Sequence, residues 1–179
     1  MNAPDTLPDT TDPEIVELRR ALHYDPLTGV LTWKVDRLGG RSAVTVRAGT
    51  VAGGPSGHGY RRIGFRRRLY YSHRVIFALM TGRWPTHEID HIDGNRSNDT
   101  WANLREATHA ENLRNQKRKH VNRTGFKGVS YNREKRMYVA HIHSDGRTRH
   151  LGYFPTPERA HEAYCEAATK QFGEYHRAN

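Results

Sequence analysis

One short stretch of the chain, from Glu88 to Asn115, is too polar to be an ordinary core element. Its acids, amides and imidazoles include Asp90, His91, Asp93, Asn95, Asn98, Asn103, His109, Glu111 and Asn112. Unpaired polar groups are costly to bury, so a stretch of this composition is seldom packed as core. The density of polar side chains therefore predicts a site.

The same stretch predicts a strand, a long polar loop, a second strand and a helix. Ile89 to Ile92 alternates apolar and polar residues, and the turn signal Asp93-Gly94-Asn95 follows it. A second strand fits Leu104 to Ala107. Thr108 followed three residues later by Glu111 is the capping-box pattern that opens a helix.

Three side chains of this outline could carry chemistry. Asp90 on the first strand and Asn112 on the first helical turn offer hard oxygen ligands, which suit Mg²⁺, with Mn²⁺ as the alternative. His91 is directed to the other side of the strand and could accept a proton from water near neutral pH. One cation and one histidine suffice to hydrolyse a phosphodiester.

The pattern resembles the HNH nuclease family, in particular the phage and intron-borne homing endonucleases. The resemblance covers roughly 73–115 and is carried by Asp90-His91-Ile92-Asp93-Gly94-Asn95, Asn98, Asn103-Leu104-Arg105 and Thr108-His109-Ala110-Glu111-Asn112. It implies that His91 is the general base and that Asp90 and Asn112 are the metal ligands. It also implies that Asn103 braces the loop that holds the histidine.

Two further positions are read from the same resemblance. His73-Arg74 resembles the His-Arg pair that precedes the motif, and either side chain could approach the scissile phosphate. Asp99 stands where the family often has asparagine, and an aspartate can still cap and turn the chain there. The implied fold is a ββα-metal core within an HNH nuclease domain at residues 14–115.

Composition restricts the partners. A net charge of +10 predicts an anionic partner, and the chain has no apolar run of transmembrane length and no signal peptide. We therefore expect double-stranded DNA rather than a membrane, in the cytoplasm of a bacterial or phage-infected cell, with the protein a monomer or a homodimer. Cys165 is the only cysteine, which excludes disulfides within the chain and cysteine-based zinc sites.

The segments before the motif have simpler interpretations. Residues 1–13 lack an apolar period and are predicted to be a disordered tail. Residues 14–22 have helical spacing after Asp12 as the cap, and 24–29 form a turn before a strand at 30–34. This turn also resembles the opening of phage-type HNH proteins.

Basic residues flank the motif on both sides. A hairpin is predicted over 60–72, and its arginines lie close together in sequence with no acid between them, which favours phosphate contact. A basic linker at 116–123 is predicted to follow the DNA backbone. The predicted DNA-binding residues of these segments are Arg61, Arg62, Arg66, Arg67, Arg68, Arg74, Lys117, Arg118 and Lys119.

The last part of the chain, residues 124–175, predicts three short strands and one helix. It resembles the APETALA2-type DNA-binding domain of plant ethylene-response factors, through Phe126-Lys127-Gly128-Val129, Tyr138-Val139-Ala140-His141-Ile142, Leu151-Gly152-Tyr153-Phe154 and an alanine-rich helix. The resemblance implies a sheet in the major groove. Its implied DNA-facing residues are Lys127, Ser130, Asn132, His141, His143, Thr148 and His150.

The whole chain is thus predicted to be α+β, with an HNH core followed by a three-stranded antiparallel sheet packed on one helix. Its predicted function is site-specific, metal-dependent DNA cleavage. The alternative is a catalytically inactive, sequence-specific DNA-binding regulator. An RNA-binding role is disfavoured because the paired aromatics of a stacking platform are missing. A metal site at His141, His143 and His150 lacks a suitable fourth ligand nearby.

Overall fold

A computed structural model of the chain describes residues 6–38, 44–115, 123–144 and 146–175. The chain divides into two compact units, Met1–Thr108 and His109–Asn179. The sequence predicts a boundary after residue 115, whereas the structure groups the short helix of residues 109–115 with the second unit. Within the described residues, none of the helices combines the length and apolar character needed to cross a membrane.

Helix α1 (Pro13–Ala21) begins the first unit and has the predicted cap. Asp12 Oδ1 accepts hydrogen bonds from Glu14 N at 2.9 Å and from Ile15 N at 3.2 Å. These bonds satisfy backbone donors that the first turn of a helix leaves unpaired. The segment before the cap was predicted to be disordered, yet Arg19 Nη1 donates to Pro8 O at 2.7 Å, so part of that segment contacts the helix.

Helix α2 (Ser72–Thr81) is the most buried element of the first unit. It is apolar on nearly every side, which is typical of a helix inside a core. It ends at Gly82, whose φ of 72° lies in the left-handed region that glycine adopts readily. Its buried apolar side chains are Val75, Ile76, Phe77, Ala78, Leu79 and Met80.

Short antiparallel strands surround these helices. They are β1 (Leu22–Asp25), β2 (Val30–Trp33), β3 (Arg37–Leu38), β4 (Val44–Val46), β5 (Gly54–Pro55), β6 (Arg61–Phe65), β7 (Arg68–Tyr71), β8 (Glu88–His91) and β9 (Leu104–Ala107). Strand β1 pairs with β2, β3 with β4 and β8 with β9, while β5, β6 and β7 form one sheet. Strand β1 was not predicted, because its extended conformation depends on pairing with β2.

The core of the first unit extends to the polar stretch. Ile89 on β8, Trp101 in the 3₁₀ turn Trp101–Asn103 and Leu104 on β9 pack in the same apolar cluster as α2. These three side chains are at most 5% exposed. The strand, loop and strand that carry the candidate site are therefore anchored at three points in the core.

The second unit contains the predicted sheet and helix. Its elements are α3 (His109–Asn115), β10 (Val129–Asn132), β11 (Met137–Ser144), β12 (Arg147–Phe154), α4 (Pro157–Phe172) and the 3₁₀ turn Gly173–Tyr175. The sheet order is β10-β11-β12, with every pair antiparallel. Ala140 and Ile142 of the middle strand are buried in clusters with residues of α4, as the alternation of the sequence predicts.

Candidate active site

The register of β8 and β9 determines the environment of Asp90. Asp90 lies directly opposite Arg105, and Arg105 Nε and Nη2 both donate to Asp90 Oδ2, at 3.0 and 2.9 Å. The two side chains are 5% and 4% exposed, so they form a buried cross-strand ion pair. The sequence predicts no catalytic or structural role for Arg105. In the structure it orients the Asp90 carboxylate.

His91 ends β8 and has a carboxylate partner of its own. His91 Nε2 lies 3.0 Å from Asp99 Oδ1, and the two side chains are only 3% and 2% exposed. A carboxylate bonded to one ring nitrogen fixes the tautomer and the orientation of an imidazole. The sequence predicts only capping for Asp99, so this partner of the histidine was missed. The one signal in the sequence is that Asp99 stands where HNH nucleases, which this stretch resembles, often have asparagine.

His73 lies beside His91, although the two are far apart in sequence. Their ring centroids are 5.2 Å apart, and the rings of Tyr60 and Tyr71 lie 5.1 and 5.4 Å from His73. Burial, helped by the charges of His91 and Arg74, lowers the pKa of His73 to about 3, so this imidazole is neutral at neutral pH. Its Nδ1 is buried and has no hydrogen-bond partner among the described residues.

The loop between the strands is closed by side-chain amides. Asn103 Oδ1 accepts from Asp93 N at 2.9 Å, and Asn103 Nδ2 donates to Asp93 Oδ1 and to Asn98 O, at 3.0 and 2.7 Å. Burial acts to raise the pKa of Asp93, but hydrogen bonds from Asn98, Asn95 and Asn103 outweigh it and lower that pKa. Asn103 thus holds the loop in one conformation, and no direct contact with a reacting group is needed for that.

The turn between β1 and β2 supports this loop from the other side. Tyr24 donates its hydroxyl to Asp99 O at 2.8 Å, and Trp101 N donates to Pro26 O at 3.1 Å. Gly29 has a φ of +75°, and a Cβ at this residue would lie 2.6 Å from the carbonyl carbon of Asp99. The close approach explains why a glycine ends this turn, and it ties the turn to the partner of His91.

We therefore expect Gly29→Ala to destabilise the first unit more than Gly49→Ala. Both glycines have positive φ, but a Cβ at Gly49 would meet no atom within 4 Å. Gly49→Ala should cost about 1–2 kcal/mol through its left-handed backbone alone. Gly29→Ala should cost a further 1–3 kcal/mol, roughly, because the Asp99 backbone must move. Urea unfolding of both variants measures the difference, and equal losses would contradict the proposed support.

Two groups of side chains could hold a metal ion. Asp90 is an oxygen ligand suited to Mg²⁺, and Asn112, its predicted partner, lies on α3 in the second unit, so this ligand pair remains a sequence prediction. The second group is His73, His91 and Asp99, which offers two ring nitrogens and a carboxylate oxygen within 4.8 Å of one another. All three residues of this group are buried.

The β6–β7 hairpin carries several of the predicted DNA-binding arginines. Arg66 Nη2 lies 3.0 Å from Glu17 Oε2, and Arg68 Nη1 lies 3.4 Å from Glu14 Oε1. No acid lies between the arginines of this hairpin in the sequence, but Glu14 and Glu17 of α1 pair with two of them. Arg66 and Arg67 form the turn between β6 and β7. Their φ values are 47° and 63°, a backbone conformation that residues other than glycine rarely adopt.

Three other predicted arginines donate to uncharged groups of the protein. Arg61 Nη2 donates to Gly53 O at 3.3 Å, and Arg62 Nη2 donates to the Tyr71 hydroxyl at 2.6 Å. Arg74 donates to two backbone carbonyls in the segment before β8. These bonds give each of the three arginines a structural role beside the predicted contact with DNA.

The sheet of the second unit presents most of its predicted DNA-facing residues together. His141 lies opposite His150, and His143 lies opposite Thr148, on the face away from the buried Ala140. The same face carries Ser130, Asn132, His141, His143, Thr148 and His150. Within the described part of the chain, the three sheet histidines do not form a group that could hold a metal ion.

Lys127, the other predicted DNA-facing residue of this unit, precedes β10. Lys127 Nζ donates to Arg114 O at 2.5 Å, so its ammonium group is engaged within the second unit. Contact with DNA would require this bond to be exchanged for one to phosphate. Lys117, Arg118 and Lys119 of the predicted linker lie outside the described residues.

Comparison with known proteins finds a similarity to HNH endonucleases. Residues 70–114 match the family model described as HNH endonuclease. The chain is 36% identical over 105 residues to an uncharacterized HNH endonuclease, L560, of Acanthamoeba polyphaga mimivirus, covering 58% of this chain and 54% of that protein. It is 42% identical over 76 residues to Protein 3.8 of Escherichia phage T7, covering 42% of this chain and 63% of that protein. No solved structure matches.

The matched segment identifies one part of the chain. It contains α2, β8, the amide-closed loop, β9 and most of α3, and so includes His73, Asp90, His91 and Asn112. It ends before the three-stranded sheet, and the comparisons give no support to an APETALA2-type domain. The chain spans about half to two thirds of the length of these viral relatives. Residues 70–114 are thus similar to HNH endonucleases, and the chain is similar to a viral protein that carries this name.

Proposed function

We propose that the protein is a metal-dependent, site-specific DNA endonuclease of the homing type. The observation that carries the proposal is the buried His91–Asp99 pair, in which a histidine is oriented by a carboxylate within the matched HNH segment. A nuclease needs a base of fixed orientation to activate water, and a bonded carboxylate supplies that orientation. A merely structural loop would not need a second buried titratable group beside the histidine.

In the proposed mechanism, His91 takes a proton from the attacking water. When Asp99 accepts the hydrogen of Nε2, the basic lone pair of His91 lies on Nδ1. Asp99 also stabilises the imidazolium that forms after proton transfer. A divalent cation, Mg²⁺ with Mn²⁺ as the alternative, would be held by Asp90 and Asn112 and would stabilise charge on the leaving 3′ oxygen. The products would carry 5′-phosphate and 3′-hydroxyl ends.

The proposed ligand assignment agrees with the contacts of Asp90. Arg105 Nε and Nη2 both donate to Asp90 Oδ2 and fix the plane of the carboxylate. Carboxylate and amide oxygens form the donor set that Mg²⁺ prefers, while the neighbouring imidazoles do not. Asp90 with Asn112 is therefore the better candidate for the catalytic cation.

DNA binding is proposed for the sheet of the second unit and for the basic residues that flank the motif. We propose that the face of the second-unit sheet that carries His141, His143 and His150 lies against DNA, as in the APETALA2-type domains that it resembles. A small antiparallel sheet fits the major groove, where side chains reach base edges. Arg67 at the tip of the β6–β7 turn and the basic residues after α3 would add phosphate contacts.

Metal removal tests this function directly. A supercoiled plasmid and phage genomic DNA should be nicked or linearised with Mg²⁺, and EDTA should abolish the cleavage because no Lewis acid remains. Excess Mg²⁺ added after EDTA should restore it. Cleavage that persists in EDTA would contradict the metal-dependent mechanism. Binding of both DNAs without cleavage, with either Mg²⁺ or Mn²⁺, would support the alternative of an inactive DNA-binding regulator.

A further inference from the structure

Two buried polar atoms lie where α2, the end of β8 and the loop after it meet. His73 Nδ1 and Asp99 Oδ2 are both buried, and neither has a hydrogen-bond partner among the described residues. A buried polar group left unpaired costs roughly 1–3 kcal/mol. Two such atoms on neighbouring side chains therefore require an explanation, and one explanation is a bound ion.

The geometry of the three side chains is suited to an ion. One ligand atom from each of His73, His91 and Asp99 lies within 4.8 Å of the other two, and His91 Nε2 is already 3.0 Å from Asp99 Oδ1. Ligand atoms of a tetrahedral Zn²⁺ site lie about 3.4 Å apart, given bonds of about 2.0–2.1 Å. Small rotations of two imidazoles would close the remaining distance. The fourth position would be taken by water.

The donor atoms select the type of cation. Two imidazole nitrogens and one carboxylate suit Zn²⁺, Co²⁺ or Ni²⁺, whereas Mg²⁺ and Ca²⁺ prefer oxygen ligands. His73 is held by α2, His91 by β8 and Asp99 by the loop that Tyr24 supports, so the three ligands are positioned by separate elements. A site with ligands fixed from three directions loses little entropy when an ion enters.

We propose that His73, His91 and Asp99 form a transition-metal site that is distinct from the oxygen ligands Asp90 and Asn112. Zn²⁺ at this site ligates Nε2 of His91 in place of its hydrogen bond to Asp99, and the proton of Nε2 moves to Nδ1. The same ring cannot then accept a proton from water, so the ion inhibits the nuclease. This second step, unlike metal binding itself, depends on the function proposed for His91.

The test is direct metal binding to the full-length protein. Metal-free protein should bind one equivalent of Zn²⁺ at this site in titration calorimetry, and Co²⁺ should give the visible absorption bands of a site with nitrogen ligands. His73→Phe fills the same buried volume without a ligand atom, and Asp99→Asn keeps the shape of the side chain. Each variant should weaken binding at least about tenfold. His141→Ala, the control in the sheet, should not.

A measurement on the unmodified protein avoids dependence on how the variants fold. Zn²⁺ should shift the ring ¹⁵N resonances of His73 and His91 together, at one equivalent of metal. The proposal is overturned if wild-type protein binds no Zn²⁺, or if binding survives both His73→Phe and Asp99→Asn. Loss of binding in His141→Ala alone would move the ion to the sheet histidines and would also overturn it.

The inhibitory step has a separate readout. Zn²⁺ sufficient to fill the site should stop Mg²⁺-supported cleavage, and cleavage that continues with the site filled would overturn the inhibition. If the protein cleaves no DNA with Mg²⁺ at all, the proposed nuclease function fails. The binding titrations would still decide whether the metal site exists, so the two failures can be told apart.

Discussion

His91→Ala is expected to reduce DNA cleavage by about 100-fold or more, because a general base typically contributes that much to the rate. DNA affinity should change by less than about twofold, since affinity for DNA depends mainly on the number of phosphates neutralised and the His91 side chain is only 3% exposed. Single-turnover cleavage of plasmid DNA and a gel-shift titration with the same DNA measure the two quantities.

His23→Ala is the matched control for this variant. His23 lies on β1 in the same unit, is exposed and forms no part of the candidate site. Its removal should leave both cleavage and binding close to wild type. A His91→Ala protein that loses affinity as strongly as activity would indicate a role in binding or folding. A protein that keeps its activity would contradict the assignment of the base.

The sequence predicted those elements whose signals are local. The cap at Asp12 and the three strands of the second unit follow from patterns within a few residues. Strand β1 was missed because only its pairing with β2, in a register that runs from Asp25 opposite Val30 to Leu22 opposite Trp33, makes it extended. Extended segments that depend on a partner carry little signal of their own.

The same limit applies to the candidate site: residues with a local signal were predicted, and their partners from other segments were not. Asp90, His91 and Asn112 lie in one motif and were predicted from it. The partners of Asp90 and His91 were not predicted, because Asp99 meets His91 only through the fold of the loop, and Arg105 meets Asp90 only through the register of β8 and β9. Contacts across a sheet or from a separate turn, such as Tyr24 to Asp99, have no spacing that a sequence reveals.

The second large effect is expected on the free energy of unfolding, when one partner of the buried Asp90–Arg105 pair is removed. Arg105→Ala should destabilise the first unit by about 3–5 kcal/mol, because the Asp90 carboxylate would remain buried without its guanidinium. Asp90→Ala should cost a similar amount, because it removes the carboxylate that faces the buried guanidinium of Arg105. Urea unfolding of the purified variants, monitored by the fluorescence of the buried Trp33 and Trp101, measures both changes.

Two comparisons separate this electrostatic effect from a general loss of packing. Arg20→Ala removes an exposed arginine, 73% exposed at its side chain and paired with Glu17, and should change stability by less than about 0.5 kcal/mol. The double variant Asp90→Leu with Arg105→Met removes both charges and should recover most of the stability lost by either single change, because apolar groups can replace a buried ion pair. The double variant should still not cleave DNA, since the proposed metal ligand is gone. If it recovers neither stability nor fold, the pair contributes through its shape and hydrogen bonds rather than through the charge of each partner.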